Sequence, residues 1–484
     1  MSSPDTLILG AGPAGMAASF ELARAGKRVA VVERASQVGG LAKTLRFERP
    51  EGTYLTDIGP HRFFSKNAYL YQLIGNILQE QWKSVPRHTR FFVGGKYYAY
   101  PIKLGNVLSQ MPKTKILGML WDYSFERVRS VIRPRPIRTF EDYALSCFGR
   151  TLAEFNILNY TEKIWGIPCN QINVDWASQR IAGLSPLATV AAIFFKKRSA
   201  KSLVDSFYYP AKGSGLIYET MRAHVEQRGG TVATDTHPVK YICEGNRVVS
   251  VDIEGPQGIT TVSPSSVVSS VPLMESVRLF GNHAPAEVRE AAKNLRFRAQ
   301  VYLFLTVARE HMAPDNWIYF PNKDIPFGRI SEMKNFSTSM CPPGKTSLFI
   351  EFFCFEGDEI WTATAERLLA LAAEWLERLK LLKREEILSY HHLREPNAYP
   401  LYDLTYRQHT ATILSWMDRL ENFYTIGRPG RFRYTNQDHS LEMGILTARS
   451  IIEGKRHNVD TIGDSREYFE RGFLPDEQMK TSSR

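Results

Sequence analysis

The first forty residues contain two short apolar runs separated by a helix-like pattern. The run TLIL leads into a glycine-rich segment, MAASFELARAGKR follows, and the second run, VAVVER, brings the chain to Glu33. Short apolar runs bounded by glycine are typical of buried strands, and a helix between two of them favours a βαβ unit with parallel strands. The chain is therefore predicted to begin as an α/β fold.

Beyond this unit the pattern changes along the chain. Residues from about 105 to 205 have mostly helical spacing, whereas TVATDTHPVKYICEGNRVVSVDIE and SSVVSSVP have the pattern of strands. Alternating positions in VYLFLTV, WIYFP and SLFIEFFCF predict an antiparallel sheet within residues 296–355. The segment TATAERLLALAAEWLERLKLL predicts an amphipathic helix. Near the end, a strand is predicted to enter Gly427-Arg428, followed by a turn and a helix from about Ser440.

Length and composition allow a large core and more than one domain. The chain has 484 residues, of which 43% are hydrophobic, and Lys and Arg exceed Asp and Glu by 61 to 50. A net charge of +11 suits an anionic partner. Because the basic residues are scattered and no nucleic-acid-binding motif is present, we expect a small anionic ligand and no nucleic acid. Five widely spaced cysteines indicate neither a disulfide framework nor a metal site and fit a reducing cytoplasm.

One apolar stretch bears on membrane contact. LATVAAIFF, at residues 187–195, is too short to span a bilayer, and it runs into the basic sequence KKRSAK. Peripheral contact with an anionic lipid surface is one interpretation, and a buried helix with a solvated end is the other. We therefore expect a cytoplasmic protein, with any membrane contact at the inner face.

The glycine-rich segment has the form of a dinucleotide-binding turn. Gly10, Gly12 and Gly15 form a GxGxxG motif with a predicted strand before it and a predicted helix after it. Gly10 permits a tight turn, Gly12 lets a pyrophosphate approach the backbone, and Gly15 allows the helix to lie close to the strand. The helix N-terminus offers its amides to the phosphates, and Glu33 can accept hydrogen bonds from ribose hydroxyls.

A second glycine pair extends this motif. Gly39-Gly40 follows Glu33 after five residues, which resembles the extended fingerprint of a large flavoprotein group. That group contains amine oxidases, protoporphyrinogen oxidases, carotene desaturases and UDP-galactopyranose mutases. Leu41 stands where the oxidases usually carry arginine, and the mutases also lack that arginine. The resemblance implies non-covalent FAD.

The resemblance also implies which residues contact the cofactor. They come from the start, the middle and the end of the chain: Gly10, Gly12, Ala14, Gly15, Glu33, Arg34, Gly40, Leu41, Val239, Gly427, Arg428, Asp438, Ser440 and Leu441.

Three further motifs, in order along the chain, resemble UDP-galactopyranose mutases in particular. They are Gly59-Pro60-His61, the YT-x-K-x-WG motif from Tyr160 to Gly166, and Gly427-Arg428 followed by Phe432-Arg433-Tyr434 and Gln437-Asp438. The chain also departs from the mutase pattern. Arg180 matches one of two expected arginines, but Leu184 replaces the other, and Asn436 stands where the mutases usually have Asp. The segment 208–219 reads more like the oxidases.

The resemblance implies a role for the motif around Trp165. In the mutases its tryptophan stacks on uracil, so Trp165 is interpreted as a platform for the base, with Lys163 available for phosphate or for a helix end. The alternative interpretation is a core tryptophan at the end of a helix. The two interpretations make opposite forecasts for one substitution, Trp165→Ala.

The remaining site residues follow from the same resemblance. The expected catalytic residues are His61, Arg296, Arg428 and Tyr434. The expected substrate-binding residues are Tyr160, Lys163, Trp165, Arg180, Arg298, Tyr399 and Tyr402. Arg296 and Arg298 could instead be solvent-facing positions of a strand, and His61 could be an ordinary turn residue.

Three functions remain open from the sequence. The first is mutase-like ring contraction of a nucleotide sugar, in which N5 of the reduced flavin attacks the anomeric carbon and UDP leaves and returns. The second is an oxidase or dehydrogenase of the protoporphyrinogen-oxidase or desaturase kind, acting on a hydrophobic substrate. The third is a non-catalytic flavin or nucleotide binder. The first is preferred and implies a role in cell-surface glycan synthesis.

The expected architecture is discontinuous. An α/β, Rossmann-like FAD-binding domain is predicted from residues 1–80, 205–275 and 405–460. A mixed helical and antiparallel-sheet substrate domain is predicted from residues 81–204 and 276–404, and residues 461–484 are predicted to be a polar tail.

Overall fold

The computed structural model describes residues 4–100, 113–132, 136–180 and 205–463. The fold class is α/β, as predicted. Its strands, numbered in chain order, are β1 Thr6–Leu9, β2 Val29–Val32, β3 Thr44–Arg49, β4 Gly52–Asp57, β5 Trp82–Pro86, β6 Thr89–Val93, β7 Lys96–Ala99, β8 Ser206–Pro210, β9 Thr231–Ala233, β10 His237–Glu244, β11 Arg247–Gly255, β12 Gly258–Val262, β13 Ser266–Ser269, β14 Phe297–Val307, β15 Trp317–Tyr319, β16 Arg329–Glu332, β17 Thr346–Cys354, β18 Ile387–Pro400 and β19 Phe423–Thr425.

Helices connect and cover these strands. The α-helices are Pro13–Arg24, Ala68–Leu78, Lys113–Ile132, Phe140–Phe148, Arg150–Leu152, Asn159–Trp165, Asp175–Arg180, Gly215–Gln227, Leu273–Phe280, Ala286–Lys293, Glu359–Thr362, Ala365–Arg378, Tyr406–Met417, Gly427–Gly430 and Gln437–Glu453. A π-helical segment spans Ala153–Leu158. Single 3-10 turns are Gly40–Ala42, Gln79–Gln81, Cys169–Gln171, Gly281–His283, Met333–Asn335, Thr338–Met340, Arg384–Glu386 and Val459–Thr461.

A five-stranded parallel sheet forms one half of the fold. Its order is β19-β13-β1-β2-β9, and its strands come from the start, the middle and the end of the chain. The helices Pro13–Arg24 and Gln437–Glu453 cross closely beside it, because a Cβ on Gly444 would lie 2.1 Å from the carbonyl oxygen of Ala14. This contact brings the N-termini of the two helices to the same edge of the sheet.

A seven-stranded sheet forms the other half. Its order is β18-β14-β17-β16-β15-β6-β7, and β14 is buried along its whole length between β17 and β18. The sequence predicts an antiparallel sheet here, which is correct for β14 to β18. The sheet is nevertheless mixed, because β6 joins β15 in parallel and brings in the hairpin partner β7 from residues outside the predicted range.

Short antiparallel ribbons lie outside these two sheets. The antiparallel pair β5–β8 connects residues 82–86 with residues 206–210, and β10, β11 and β12 form an antiparallel meander beside the parallel sheet. The amphipathic helix predicted after residue 362 is Ala365–Arg378. In the described ranges, no helix is both long enough and apolar enough to cross a membrane.

Two local predictions differ from the structure. The final helix begins at Gln437, not near Ser440, because Asn436 is extended and serves as its N-cap. Within the range of helical spacing, residues 150–166 do not form one α-helix, because the π-helical segment divides them, and the last helix ends at Gly166, whose φ is +69°. Leu184, the apolar stretch 187–195 and residues 464–484 lie outside the described residues.

Candidate functional site

One large cavity lies between the two halves of the molecule. Its volume is about 610 Å³, and it extends from the glycine-rich turn after β1 to one face of the seven-stranded sheet. The carboxyl ends of β1, β2 and β13 border it, which is where ligands bind in open α/β sheets. The cavity is of the size that holds cofactors and drug-sized ligands.

The glycine-rich turn has the shape of a phosphate cradle. Gly10 has a φ of +100°, which glycine adopts at little cost. A Cβ on Gly12 would meet only the Cα of Gly40, at 3.9 Å, so the space beside Gly12 belongs to the cavity. A Cβ on Gly40 would lie 3.1 Å from the Cα of Gly12, so the second glycine pair approaches the first as expected.

Glu33 is fixed at the end of β2. Its Oε2 accepts a hydrogen bond of 2.7 Å from the amide of Ala11, and its Oε1 accepts one of 3.0 Å from the amide of Ala35. The carboxylate borders the cavity beside Arg34 and retains acceptor capacity for hydroxyl groups there. This is the arrangement that a ribose requires.

The N-terminus of the last helix closes the opposite side of the cavity. Asn436, Gln437, Asp438 and Ser440 all border it, with Gly427 nearby. The Oδ1 atom of Asp438 is buried and has no hydrogen-bond partner among the described residues. A buried acceptor without a partner is costly, so this atom fits a ligand that donates a hydrogen bond. With the glycine cradle and Glu33, it provides a site that fits FAD.

The predicted cofactor residues are divided by the structure into two groups. Gly10, Gly12, Ala14, Glu33, Arg34, Gly40, Leu41, Gly427, Arg428, Asp438 and Ser440 border the cavity. Gly15, Val239 and Leu441 do not. Gly15 allows close packing, because a Cβ on it would lie 1.9 Å from the carbonyl oxygen of Gly10. Leu441 lies on the last helix and is completely buried in the core. At the strand end near Val239, the bordering residues are Thr236, His237 and Pro238.

His61 borders the cavity close to Arg428. Its Nε2 lies 2.7 Å from the carbonyl oxygen of Ile58, and Gly59, with a φ of +93°, forms the turn between them. Burial, followed by the charge of Arg428, lowers the pKa of His61 to about 4. The ring is therefore neutral at neutral pH, at a position where it can contact a ligand.

Arg428, Tyr399 and Tyr434 form a cluster on the cavity wall. The guanidinium lies 5.3 Å from the centroid of the Tyr399 ring and 4.9 Å from that of Tyr434, and the two rings stack at 5.5 Å. Arg428 also donates to the carbonyl oxygens of Thr435 and Ala398. Burial raises the pKa of Tyr399 to about 12, so its hydroxyl stays protonated.

The seven-stranded sheet turns a polar face toward the cavity. Alternate residues of its strands border the cavity: Gln300 and Tyr302 on β14, Trp317 and Tyr319 on β15, Arg329 on β16 and Glu351 on β17. Several of these polar side chains are connected. The Tyr302 hydroxyl donates to Gln300 at 2.8 Å, Gln300 donates to Glu351 at 3.1 Å, and Arg329 donates to both oxygens of Glu351 at 2.5 and 2.6 Å.

Sequence reasoning did not identify this wall. The available signal was a polar residue inside an otherwise apolar strand, such as Gln300 before VYLFLTV and Glu351 inside SLFIEFFCF. Buried polar and charged groups are costly unless they are paired, so such positions indicate a network or a site. Arg62, which borders the cavity with its guanidinium 4.4 Å from the centroid of the Phe64 ring, was also missed.

Three of the predicted cationic residues are engaged elsewhere. Arg296 is on the surface, with 56% of its side chain exposed, and lies 3.7 Å from Asp403. Arg298 is buried under Phe355, and its Nε donates to the carbonyl oxygen of Ile164 at 2.8 Å. The Nζ of Lys163 donates to three backbone carbonyl oxygens, those of Phe320, Asn322 and Phe327, at 2.7–2.8 Å. None of the three borders the cavity, and their expected roles stay predictions.

Trp165 is buried in the core and has no contact with the cavity. Its ring is completely buried, meets Trp176 edge to face at 4.7 Å and stacks on Tyr402 at 6.4 Å. Neither Trp165 nor Tyr402 borders the cavity, although the Tyr402 hydroxyl holds the amide of Tyr434, which does. This position corresponds to the core interpretation, and stacking on a base would require the ring to be uncovered.

Two further predicted substrate residues are Tyr160, which does not border the cavity, and Arg180, whose side chain lies outside the described part of the structure. The ring of Tyr160 meets that of Tyr319 edge to face at 5.3 Å, and Tyr319 borders the cavity. The backbone of Arg180 ends the helix that begins at Asp175. Their substrate roles stay predictions.

A family model described as "Flavin containing amine oxidoreductase" matches residues 13–452. The chain belongs to this family. Its cofactor is therefore FAD, in agreement with the cradle, Glu33 and the helix N-terminus around the cavity. Nearly the whole described fold lies within the matched range.

The curated relatives of this chain include both a mutase and an oxidase. The chain is 27% identical to a probable UDP-galactopyranose mutase of Klebsiella pneumoniae over 174 residues, which are 36% of this chain and 44% of the mutase. It is 32% identical to an L-amino-acid oxidase of Bungarus fasciatus over 126 residues, 22% of this chain and 23% of the oxidase. The chain thus matches less than half the length of these curated relatives.

Solved structures share the complete fold. A reduced UDP-galactopyranose mutase superimposes with a TM-score of 0.81 at 22% identity, covering 96% of this chain and all of the mutase. At these identities the likeness shows the fold and leaves the substrate open.

Proposed function

We propose that the protein is an FAD-dependent, mutase-like isomerase that contracts the sugar ring of a nucleotide sugar. The observation that carries the proposal is the polar wall opposite the glycine cradle. Tyr302, Gln300, Glu351 and Arg329 present hydroxyl, amide and ion-pair groups to the cavity. A polyhydroxylated sugar can add hydrogen bonds to such a wall, whereas an apolar substrate would remove water from these polar groups without adding any hydrogen bond.

Each cavity residue has a definite part in this proposal. Arg428 carries positive charge toward the anionic part of the substrate, and Tyr399 and Tyr434 provide hydroxyls and flat rings beside it. The Arg329–Glu351 pair fixes Gln300 and Tyr302 for sugar hydroxyls. Neutral His61 closes the cavity near Arg428 and adds no second positive charge. FAD, when bound and reduced, supplies the nucleophilic nitrogen for covalent catalysis.

Net redox chemistry is the second candidate, and a specific observation favours it. The mutase-like motif would present Trp165 and Lys163 to a nucleotide, yet Trp165 is buried and Lys163 is saturated by three carbonyl groups. An oxidase or dehydrogenase needs neither residue. The polar wall then implies a polar substrate, in contrast to the hydrophobic substrate expected from the sequence.

The two candidates are separated by incubating oxidised and dithionite-reduced protein with a panel of UDP-hexoses. The mutase-like proposal expects a ring-contracted product from the reduced form alone, with no net change in flavin absorbance. Anaerobic bleaching of the oxidised flavin by a substrate, with no isomer formed, would establish the redox alternative. Chromatography and flavin absorbance give the two measurements.

A matched pair of variants on β14 tests the polar wall. Gln300→Met should lower turnover of the sugar nucleotide about tenfold to a hundredfold, because Tyr302 and Glu351 lose their common partner. Thr306→Val, farther along the strand and bonded to Ser389 at 2.8 Å, should leave turnover unchanged. Equal turnover in Gln300→Met and wild type, with equal FAD content, would show that the polar wall does not contribute to substrate binding.

A further inference from the structure

Asp57 is a buried carboxylate at the end of β4, four residues before His61 in the chain. Its side chain is completely shielded from solvent and does not border the cavity, so it takes no direct part in ligand binding. Burying a carboxylate costs stability unless hydrogen bonds compensate for the lost water. The partners of Asp57 therefore indicate what this group does for the protein.

Three donors from other segments of the chain meet at this carboxylate. The Thr44 hydroxyl donates to Oδ1 at 2.6 Å, the Tyr209 hydroxyl donates to Oδ2 at 2.7 Å, and the amide nitrogen of Ser214 lies 3.1 Å from both oxygens. Burial raises the pKa of Asp57 to about 6, and these hydrogen bonds oppose the increase. The carboxylate is therefore mainly ionised at neutral pH and can accept from all three donors.

Ser214 connects this carboxylate to His61. Its amide donates to Asp57, and its hydroxyl donates to the backbone carbonyl oxygen of His61 at 2.8 Å. The side-chain amide of Gln437 donates to the same oxygen at 3.1 Å, and the Tyr218 hydroxyl donates to Gln437 at 2.9 Å. Two donors occupy both lone pairs of this carbonyl oxygen, so the backbone of His61 is held from the N-terminal ends of two helices.

The close approach of Ser214 depends on the glycines on either side of it. A Cβ on Gly213, whose φ is +92°, would lie 2.3 Å from the Thr44 hydroxyl oxygen and 2.7 Å from Oδ1 of Asp57. A Cβ on Gly215 would lie 2.5 Å from the amide nitrogen of Thr44. Only a turn without side chains at both positions brings Ser214 this close to Asp57.

We propose that Asp57 is a positioning residue for His61, whose ring it holds in place against bound FAD. The hydrogen bonds of Asp57 fix the end of β4, and the next residue, Ile58, offers its carbonyl oxygen to the His61 ring at 2.7 Å. Ser214 and Gln437 fix the His61 backbone at the same time. A residue whose backbone and ring are both held by neighbouring groups keeps one orientation toward a ligand. The proposal concerns the FAD cavity alone and holds for either candidate reaction.

The test is retention of FAD by the full-length protein. Flavin fluorescence released on dilution of the FAD-loaded protein gives Kd without any substrate, so failure of the isomerase proposal would leave this test unaffected. His61→Asn, Asp57→Asn and Ser214→Ala should each weaken FAD binding about tenfold. Asp57→Asn should add no further loss in the His61→Asn background, because it acts through that ring. A residue that only supports the fold would weaken binding by the same factor in both backgrounds.

Glu332→Gln is the matched control. Glu332 is buried to the same degree as Asp57 and accepts hydrogen bonds from two backbone amides and the Thr346 hydroxyl, yet it does not border the cavity. This substitution should lower the melting temperature, as Asp57→Asn does, and leave FAD affinity at the wild-type value. In NMR spectra of protein with labelled histidine, the signals absent from His61→Asn identify the His61 ring. They should shift in Asp57→Asn and Ser214→Ala and keep their positions in Glu332→Gln.

Three results would overturn the proposal. The first is a His61→Asn protein that retains FAD as well as wild type does. The second is equal weakening by Asp57→Asn in the presence and in the absence of His61. The third is a Ser214→Ala protein with wild-type FAD affinity and unshifted His61 signals. If Asp57→Asn does not fold, Ser214→Ala in both backgrounds gives the same comparison, because it removes only the hydroxyl that reaches the His61 carbonyl.

Discussion

At the scale of single residues, Gly12 and Gly15 of the glycine-rich turn are required for different reasons. A side chain on Gly12 would enter the cavity, whereas one on Gly15 would strike the backbone of Gly10 at 1.9 Å. Gly12→Val should therefore give a folded protein that lacks FAD, and Gly15→Val should lower stability itself. Flavin absorbance and thermal melts of both variants provide the comparison. Normal flavin content in Gly12→Val would show that the cradle is only a turn.

His61 gives a prediction about pH. Its pKa is lowered to about 4 in the fold, whereas an unfolded histidine titrates near 6.5. The stability contributed by the neutral ring is therefore complete above pH 6.5 and is lost as the pH falls through 4. In flavin-free protein, His61→Asn should reduce this acid-dependent loss by about 3 kcal/mol at most. Urea unfolding of wild type and His61→Asn between pH 7 and pH 4 measures this difference in the free energy of unfolding. If the two proteins lose stability in parallel as the pH falls, His61 is not the group responsible.

At the scale of elements, the C-terminal end of the helix Asn159–Trp165 is fixed from several directions. Lys163 bonds three carbonyl groups, Arg298 bonds the carbonyl of Ile164, and a Cβ on Gly166 would lie 2.5 Å from the Arg298 guanidinium. Burial lowers the pKa of Lys163 to about 7. These contacts attach the helix to the loop between β15 and β16, at the margin of the cavity.

Replacing Lys163 separates a structural role from phosphate binding. Lys163→Met leaves the carbonyls of Phe320, Asn322 and Phe327 without their donor, so it should cost about 2–4 kcal/mol of stability while UDP affinity stays near that of wild type. Lys323→Met, which removes an exposed partner of Glu162, is the control and should change stability little. Unchanged stability with weaker UDP binding would return Lys163 to the substrate site.

Trp165 gives the corresponding test for the aromatic core. Trp165→Ala should cost about 3–5 kcal/mol, because the ring is completely buried against Trp176 and Tyr402. Trp121→Ala, at a position 73% exposed, should have little effect on stability. Thermal melts and UDP titration should be performed on both variants. A stable Trp165→Ala protein with affinity reduced about tenfold to a hundredfold would support base stacking instead.

At the scale of the whole molecule, the cavity lies between the two large sheets, and residues of both sheets line it. Glu33 and Gly12 border it from the parallel sheet, and Gln300 and Glu351 border it from the seven-stranded sheet. A ligand that binds both halves stabilises the native state by mass action, by about 2.7 kcal/mol at a hundredfold excess over Kd.

Removal of FAD should therefore lower the melting temperature by several degrees. The purified protein should be yellow, acid treatment should release FAD, and adding FAD back should restore the melt. FMN in the released fraction, or a melt that does not respond to FAD, would contradict this assignment. Gly12→Val serves as the internal control, since its melt should not respond to added FAD.

The FAD turn could be read from the sequence because it is local. Gly10, Gly12 and Glu33 act through a contiguous strand, turn, helix and strand, and each step leaves its own pattern in the chain. The sheets were also visible, because alternation follows from the period of a strand. The sequence does not show which set of alternate residues in a strand faces the cavity, because that depends on which strands become neighbours in the sheet.

For the same reason, only the tertiary structure shows which side chains lie on the side of the cavity opposite the glycine-rich turn. Arg296 and Arg298 are two residues apart, yet one reaches solvent and the other ends beneath Phe355 at a helix end 134 residues away in the chain. Gln300, Arg329 and Glu351 form a single network only because β14, β16 and β17 are adjacent in one sheet. The sequence by itself determined the phosphate cradle and the acidic residue of the cofactor site, because backbone shape and short-range spacing define Gly10, Gly12 and Glu33. The tertiary structure alone decided which charged and aromatic side chains face the ligand, because that requires contacts between segments far apart in the chain.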